Sequence, residues 1–174
     1  AQSRDPELAT YIDALRCQLD HRQALPAAAE SCGRLLRTVS NVTTDVIRAI
    51  GHNTLSYYFY REGDHERSQA EVERALSIAL TLVDDDLLAT AHNLIGLNFA
   101  TRLRPRKSLV HFEQALEHAR NMAAPEFRML IELNLASSYT YLGRAEESLA
   151  LLQTANERPT THLYPTRSLV VQSM

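Results

Sequence analysis

The residues able to do chemistry are seven histidines and two cysteines in a chain of 174, and their spacing limits what that chemistry is. No HExxH run and no tight His/Cys/Asp cluster has the separation that gathers ligands around one metal ion. His111 and His118 lie two turns apart on one helical face, too far for a shared ion. His52 and His92 stand 40 residues apart, each followed by an asparagine, Asn53 and Asn93. Their helical phase turns both imidazoles toward the preceding helix, so satisfied core histidines are expected. No catalytic residue, metal site or cofactor is predicted. Neither cysteine adjoins a histidine in the frame of an activated nucleophile. Cys17 and Cys32 are expected to be reduced, half-buried thiols of a cytoplasmic protein; a bridge between them would instead mark an extracytoplasmic, periplasmic-type location.

The remaining candidates are binding residues. The run Tyr57, Tyr58, Phe59, Tyr60, Arg61 has the aromatic and guanidinium composition of interaction hot spots. Phe59 belongs to a core by its spacing, Tyr58 in part, while Tyr57 and Tyr60 lie on another face with hydroxyls to satisfy. Asn53 and Asn93 offer paired amides that can hydrogen-bond an extended backbone. Arg102, Arg104, Arg106 and Lys107 form a local basic stretch suited to an anion or an acidic partner. A handful of charges without interleaved aromatics is weak evidence for nucleic acid, and none is expected to bind directly. The net charge of −3 gives no global attraction to nucleic acid or anionic lipid. The longest apolar run, Leu76 to Val83, falls far short of the roughly 20 residues of a membrane span, so no insertion is expected.

The elements that must position these residues repeat every 40 positions. Ala75, Ala115 and Ala155 share one phase; Val72, Phe112 and Leu152 another; Ser68, Ser108 and Ser148 a third; Phe59, Phe99 and Tyr139 a fourth; Ser56, Gly96 and Ala136 a fifth. A self-similar period of this length signals stacked supersecondary units. Prolines at 6, 26, 105, 125, 159 and 165 all suit helix starts or connections, where the missing N–H costs nothing. Gly63 and Gly143 share the phase of a turn, and Asp5 and Asp84 to Asp86 suit helix N-termini. The pattern predicts helices over 6–21, 25–38, 44–61, 65–80, 85–101, 105–120, 125–141, 145–157 and 165–174. Short connections make consecutive helices antiparallel neighbours. The expected fold is all-α.

This pattern resembles the tetratricopeptide repeat, with small positions Ser56, Gly96 and Ala136, aromatics Phe59, Phe99 and Tyr139, turns Gly63, Leu103 and Gly143, and second helices that align over 65–76, 105–116 and 145–156. The chain departs from the family in having no Trp, a Leu at one turn, Ser at the small second-helix position and a longer period. The long form looks like the repeats of bacterial signalling regulators. The resemblance implies a right-handed α-solenoid of hairpins at about 5–42, 43–82, 83–122 and 123–162, with the first helix of a fifth at 163–174. It implies a non-catalytic scaffold that binds a peptide or protein segment in a concave groove lined by the first helix of each unit. The groove positions are then Asn53, Tyr57, Tyr60 and Arg61; Asn93, Leu97 and Thr101; and Ser137, Thr140 and Tyr141. The scaffold would be the sensory or regulatory part of a longer signalling protein such as a transcription regulator, histidine kinase or diguanylate cyclase. The alternative is a structural module that dimerises through an open C-terminal end, where Leu169, Val170, Val171 and Met174 would lack cover.

Overall fold

The computed structural model describes residues 5–121 and 124–157. The chain is all-α, and the described residues contain no strand. The helices are α1 (Pro6–Arg22), α2 (Ala28–Thr38), α3 (Asp45–Arg61), α4 (His65–Leu82), α5 (Asp85–Thr101), α6 (Pro105–His118), α7 (Pro125–Tyr141) and α8 (Ala145–Glu157). The helix expected over 165–174, and with it the open C-terminal end, lies outside the described residues.

Local chemistry explains these bounds. Pro6, Pro105 and Pro125 open α1, α6 and α7. There the missing proline N–H removes a donor that would have had no partner. The Asp64 and Asp84 carboxylates cap α4 and α5 by accepting from the Arg67 and Leu87 amides at 3.0 Å. Gly63 and Gly143 take φ of 78° and 74° in the turns that follow α3 and α7. Two starts differ from expectation, α3 by a single residue and α2 by three. Ala24 turns left-handed with φ of 52°, and the Leu25 amide reaches back to the Asp20 carbonyl at 2.8 Å. The chain spends Pro26 in this connection, so α2 begins at Ala28 rather than 25.

Packing follows chain order. α1 lies on α2, α3 on α4, α5 on α6 and α7 on α8, while α4 touches α5 and α6 touches α7. The first helices also meet in series, α1 with α3, α3 with α5 and α5 with α7. The core is correspondingly divided. Ala14, Cys17, Cys32, Leu35, Leu55 and Phe59 form one cluster, and Val72, Ala91, Leu94 and Ile95 another.

Three repeated positions have clear physical reasons. A Cβ on Gly96 would sit 2.5 Å from the Phe112 ring, so the small residue is what admits the large one. The Ser68 and Ser148 hydroxyls donate to the Ser56 and Ala136 carbonyls at 2.9 and 3.0 Å. At positions 68 and 148 the serine thus joins the two helices of its hairpin. The aromatic phase carries a cation, with Arg67 over Phe59 at 4.4 Å, Lys107 over Phe99 at 5.4 Å and Arg144 over Tyr139 at 4.5 Å.

The cysteines require a correction. Cys17 on α1 and Cys32 on α2 form a disulfide, with Cα atoms 4.7 Å apart. The fold-back of the two helices brings both side chains into the core, where each is about 1% exposed. The expectation of free thiols in the cytoplasm is overturned, because a structural disulfide points to an oxidising compartment. No helix among the described residues is long and apolar enough to cross a membrane.

Candidate functional site

The two histidines of the repeat are buried, as their phase requires, but each faces the second helix of its own hairpin rather than the preceding one. His52 and Glu71 are 19 residues apart, a separation that sets them opposite each other across the α3–α4 turn, with Nδ1 2.6 Å from Oε2. Arg74 pairs with the same carboxylate. In α5–α6 the matching positions hold His92 and His111, with Nδ1 atoms 3.2 Å apart. The His118 ring lies parallel to His92 at 5.8 Å, and Phe99 stacks on His111 at 5.6 Å. Asp85 Oδ1 lies 2.8 Å from His118 Nδ1. Burial, then the neighbouring His111 and His118, push His92 down to about 4. Burial also lowers His111. Among the described residues no group of three His, Cys, Asp or Glu side chains is arranged to hold a metal ion.

The predicted asparagines are buried rather than displayed. Asn93 accepts a hydrogen bond from the Asn134 amide at 2.9 Å, linking α5 to α7. The Asn53 amide is enclosed without a hydrogen-bond partner among the described residues. Asn53 and Asn93 are 5% and 4% exposed, so neither faces an open wall, and Asn93 joins two first helices.

The aromatic run at the end of α3 is half-buried. Tyr57 and Tyr60 stack at 6.4 Å, and Arg61 Nη1 donates to the Tyr57 hydroxyl at 3.3 Å. The His21 ring meets Tyr57 and Tyr58 edge-on, so the end of α1 covers part of the cluster. Burial, then the neighbouring Tyr57, raise the Tyr60 phenol.

Other predicted residues converge on a concavity. A cleft of about 280 Å³ opens between α5, α6 and α7, lined by Leu97, Ala100, Leu103, Asn134, Ser137 and Tyr141 among others. Leu97, Ser137 and Tyr141 are among the positions expected to line a groove, and all three border this cleft. Asn134 is not among those positions, because it stands one residue out of the Asn93 phase. Leu103 was visible only as a turn. Thr101 and Thr140 spend their hydroxyls on the Leu97 and Ala136 carbonyls at 3.2 and 3.0 Å. The basic stretch borders this cleft. Arg104, Arg106 and Lys107 line an adjoining shallow depression with Pro105 and Leu142, and Arg102 is exposed beside them.

Comparison with known proteins agrees with the helical architecture. No family model and no curated protein matches the sequence. The crystal structure of BtubC (BKLC) from P. vanneervenii is similar to this chain, with a TM-score of 0.73 over 94% of this chain and 71% of that one. The sequence identity is 20%, so the likeness is one of fold.

Proposed function

We propose that this chain is a right-handed α-solenoid of the tetratricopeptide type whose hairpins, at about 5–42, 43–82, 83–122 and 123–162, present a peptide-binding groove. It is a non-catalytic scaffold, the sensory or regulatory part of a larger bacterial signalling protein that works in an oxidising compartment. The supporting observation is the cleft of about 280 Å³ between α5, α6 and α7, where two successive hairpins contribute side chains to one concavity. Such a junction suits a segment that bridges units, and recognition relies on preformed side chains with little ordering cost.

Selection of binders from an unbiased display library, followed by titration, tests this reading. Leu97→Glu and Tyr141→Ala are expected to weaken the selected peptide by about tenfold or more, as loss of a hot-spot contact does. Unchanged affinity in both variants would move the site elsewhere.

A second reading, a module for self-association, rests on a different observation. Leu8, Tyr11, Leu15 and Leu19 form one stripe of α1 and are 37–53% exposed. In the 40-residue register Leu15 and Leu19 correspond to Leu55 and Phe59 of α3, which are buried. Sedimentation of the wild type and Leu15→Glu decides it: a concentration-dependent dimer lost in the variant supports self-association, and a monomer throughout removes it.

A further inference from the structure

Within the proposed binding role, the turn between α5 and α6 differs from its sister turns in a way that specifies a partner. Gly63 and Gly143 occupy the left-handed turn position in the hairpins on either side, where they present no side chain to a ligand. The third hairpin places Leu103 at this position, with φ of 52° and a side chain 77% exposed. A leucine accepts that backbone at a conformational cost glycine does not have, and here it gains little burial in return.

The charges around the three turns differ in the same sense. At the second hairpin Arg67 pairs with Asp64, and at the fourth Arg144 pairs with Glu147. At the third, Arg102, Arg104, Arg106 and Lys107 form no ion pair with a carboxylate among the described residues. Lys107 lies over Phe99 instead. Four cations therefore crowd one rim of a chain whose net charge is −3. Leu103 belongs to both features, since it stands in the basic stretch and lines the cleft with Leu97, Ala100 and Tyr141.

We propose that this notch binds an acidic peptide segment that sets one apolar side chain against Leu97, Leu103 and Tyr141 while its flanking carboxylates meet the Arg102–Lys107 rim. Charge complementarity selects the partner, and the cleft selects its form. A recess that admits one side chain, with the Asn134 and Ser137 polar groups along its wall, fits a peptide better than a flat anionic membrane. This inference depends on the peptide-binding reading and narrows it to one class of ligand and one junction.

The test is an anisotropy titration with a labelled probe peptide in which one Phe is flanked by two acidic residues on each side. Three competitors accompany it: the same peptide with Lys for the acids, the same with Ala for the Phe, and phosphatidylserine vesicles. The acidic Phe peptide is expected to bind, to weaken as salt rises, and to lose about tenfold in affinity when Arg104→Glu and Arg106→Glu are combined. Leu103→Gly is the sharper variant. Glycine relieves the left-handed backbone, so the thermal midpoint should rise while affinity falls several-fold. Equal binding of the basic peptide, retention by vesicles alone, or affinity indifferent to both Leu103→Gly and the double arginine variant would overturn the proposal. The broader reading fails separately. If a library-selected peptide of non-acidic character binds at Leu97 and Tyr141, the acidic notch is wrong and the groove stands. If no library peptide binds at all, both fall.

Discussion

The α3–α4 and α5–α6 hairpins occupy the same frame 40 residues apart, yet they fill it with opposite chemistry. At one pair of facing positions the former sets His52 against Glu71 and the latter sets His92 against His111. At the small-to-large pair the former has Ser56 with Val72 and the latter Gly96 with Phe112. The frame thus fixes where volume and polarity must be accommodated, and the His52–Glu71, His92–His111 and Gly96–Phe112 pairs each meet that requirement across the two helices of one hairpin. A substitution should therefore be judged against its partner in the same hairpin, not against the repeat average.

The largest expected effect separates the hairpins by their dependence on α1 and α2. Cys17 and Cys32 close a loop with a sequence separation of 15, which in the chain-entropy view contributes about 3 kcal/mol. Cys17→Ser with Cys32→Ser should lower stability by about that amount, and amide exchange should speed up in α3, which rests on α1, more than in α5 or α6. Uniform acceleration along the chain would mean the hairpins do not differ in this way.

Next comes the volume exchange. Gly96→Ser forces a Cβ into the Phe112 ring and should cost about 1–3 kcal/mol. Adding Phe112→Val recreates the filling of the second hairpin and should recover part of that loss. Denaturant melts of the four-member cycle measure the coupling, and strict additivity would refute the compensation.

The acid response reports on the histidine pair of α5 and α6. His92 is held below its ordinary value of 6.5, at about 4. The unfolded chain therefore binds a proton that the folded one does not as pH falls through that interval. Stability from this site is fully present above about 6.5 and is lost progressively down to about 4, at most ~3 kcal/mol. His111→Glu transplants the His–Glu pair of the second hairpin and removes one neighbouring imidazole, so the melting temperature should fall less steeply between those pH values. An unchanged slope would assign the acid sensitivity to other groups.

The smallest effect concerns serines 68 and 108. Ser68 Oγ donates to the Ser56 carbonyl and accepts from Asn98 at 2.8 Å, whereas Ser108 bonds its own helix at the Pro105 carbonyl and shares a hydrogen bond with Ser138. Ser68→Ala should cost about 1 kcal/mol and Ser108→Ala less, read from chemical melts. Equal costs would erase the difference.

How much of this was legible follows from which residues act alone. Proline, capping aspartate and turn glycine act on backbone within a few residues of themselves, so Pro105, Asp84 and Gly143 mark helix ends in the sequence itself. The burial of Asn53 and Asn93 depends on the angle at which neighbouring first helices meet, which a linear phase does not encode. The Cys17–Cys32 bond needed the spatial approach of α1 and α2, because two cysteines carry no framework pattern of their own. The cleft was half visible: Leu97 and Tyr141 lay in the groove phase, while Leu103 and Asn134 join it through turn conformation and a one-residue offset.

The most direct measurement of the binding role is amide chemical-shift mapping with a peptide taken from an unbiased display selection. The largest perturbations should gather at Leu97, Ala100, Asn134, Ser137 and Tyr141, along α5 and α7 and the turn between α5 and α6. Perturbations confined to a second cleft at Glu113, Leu116, Ala150 and Thr154, formed by α6, α7 and α8, would contradict that role.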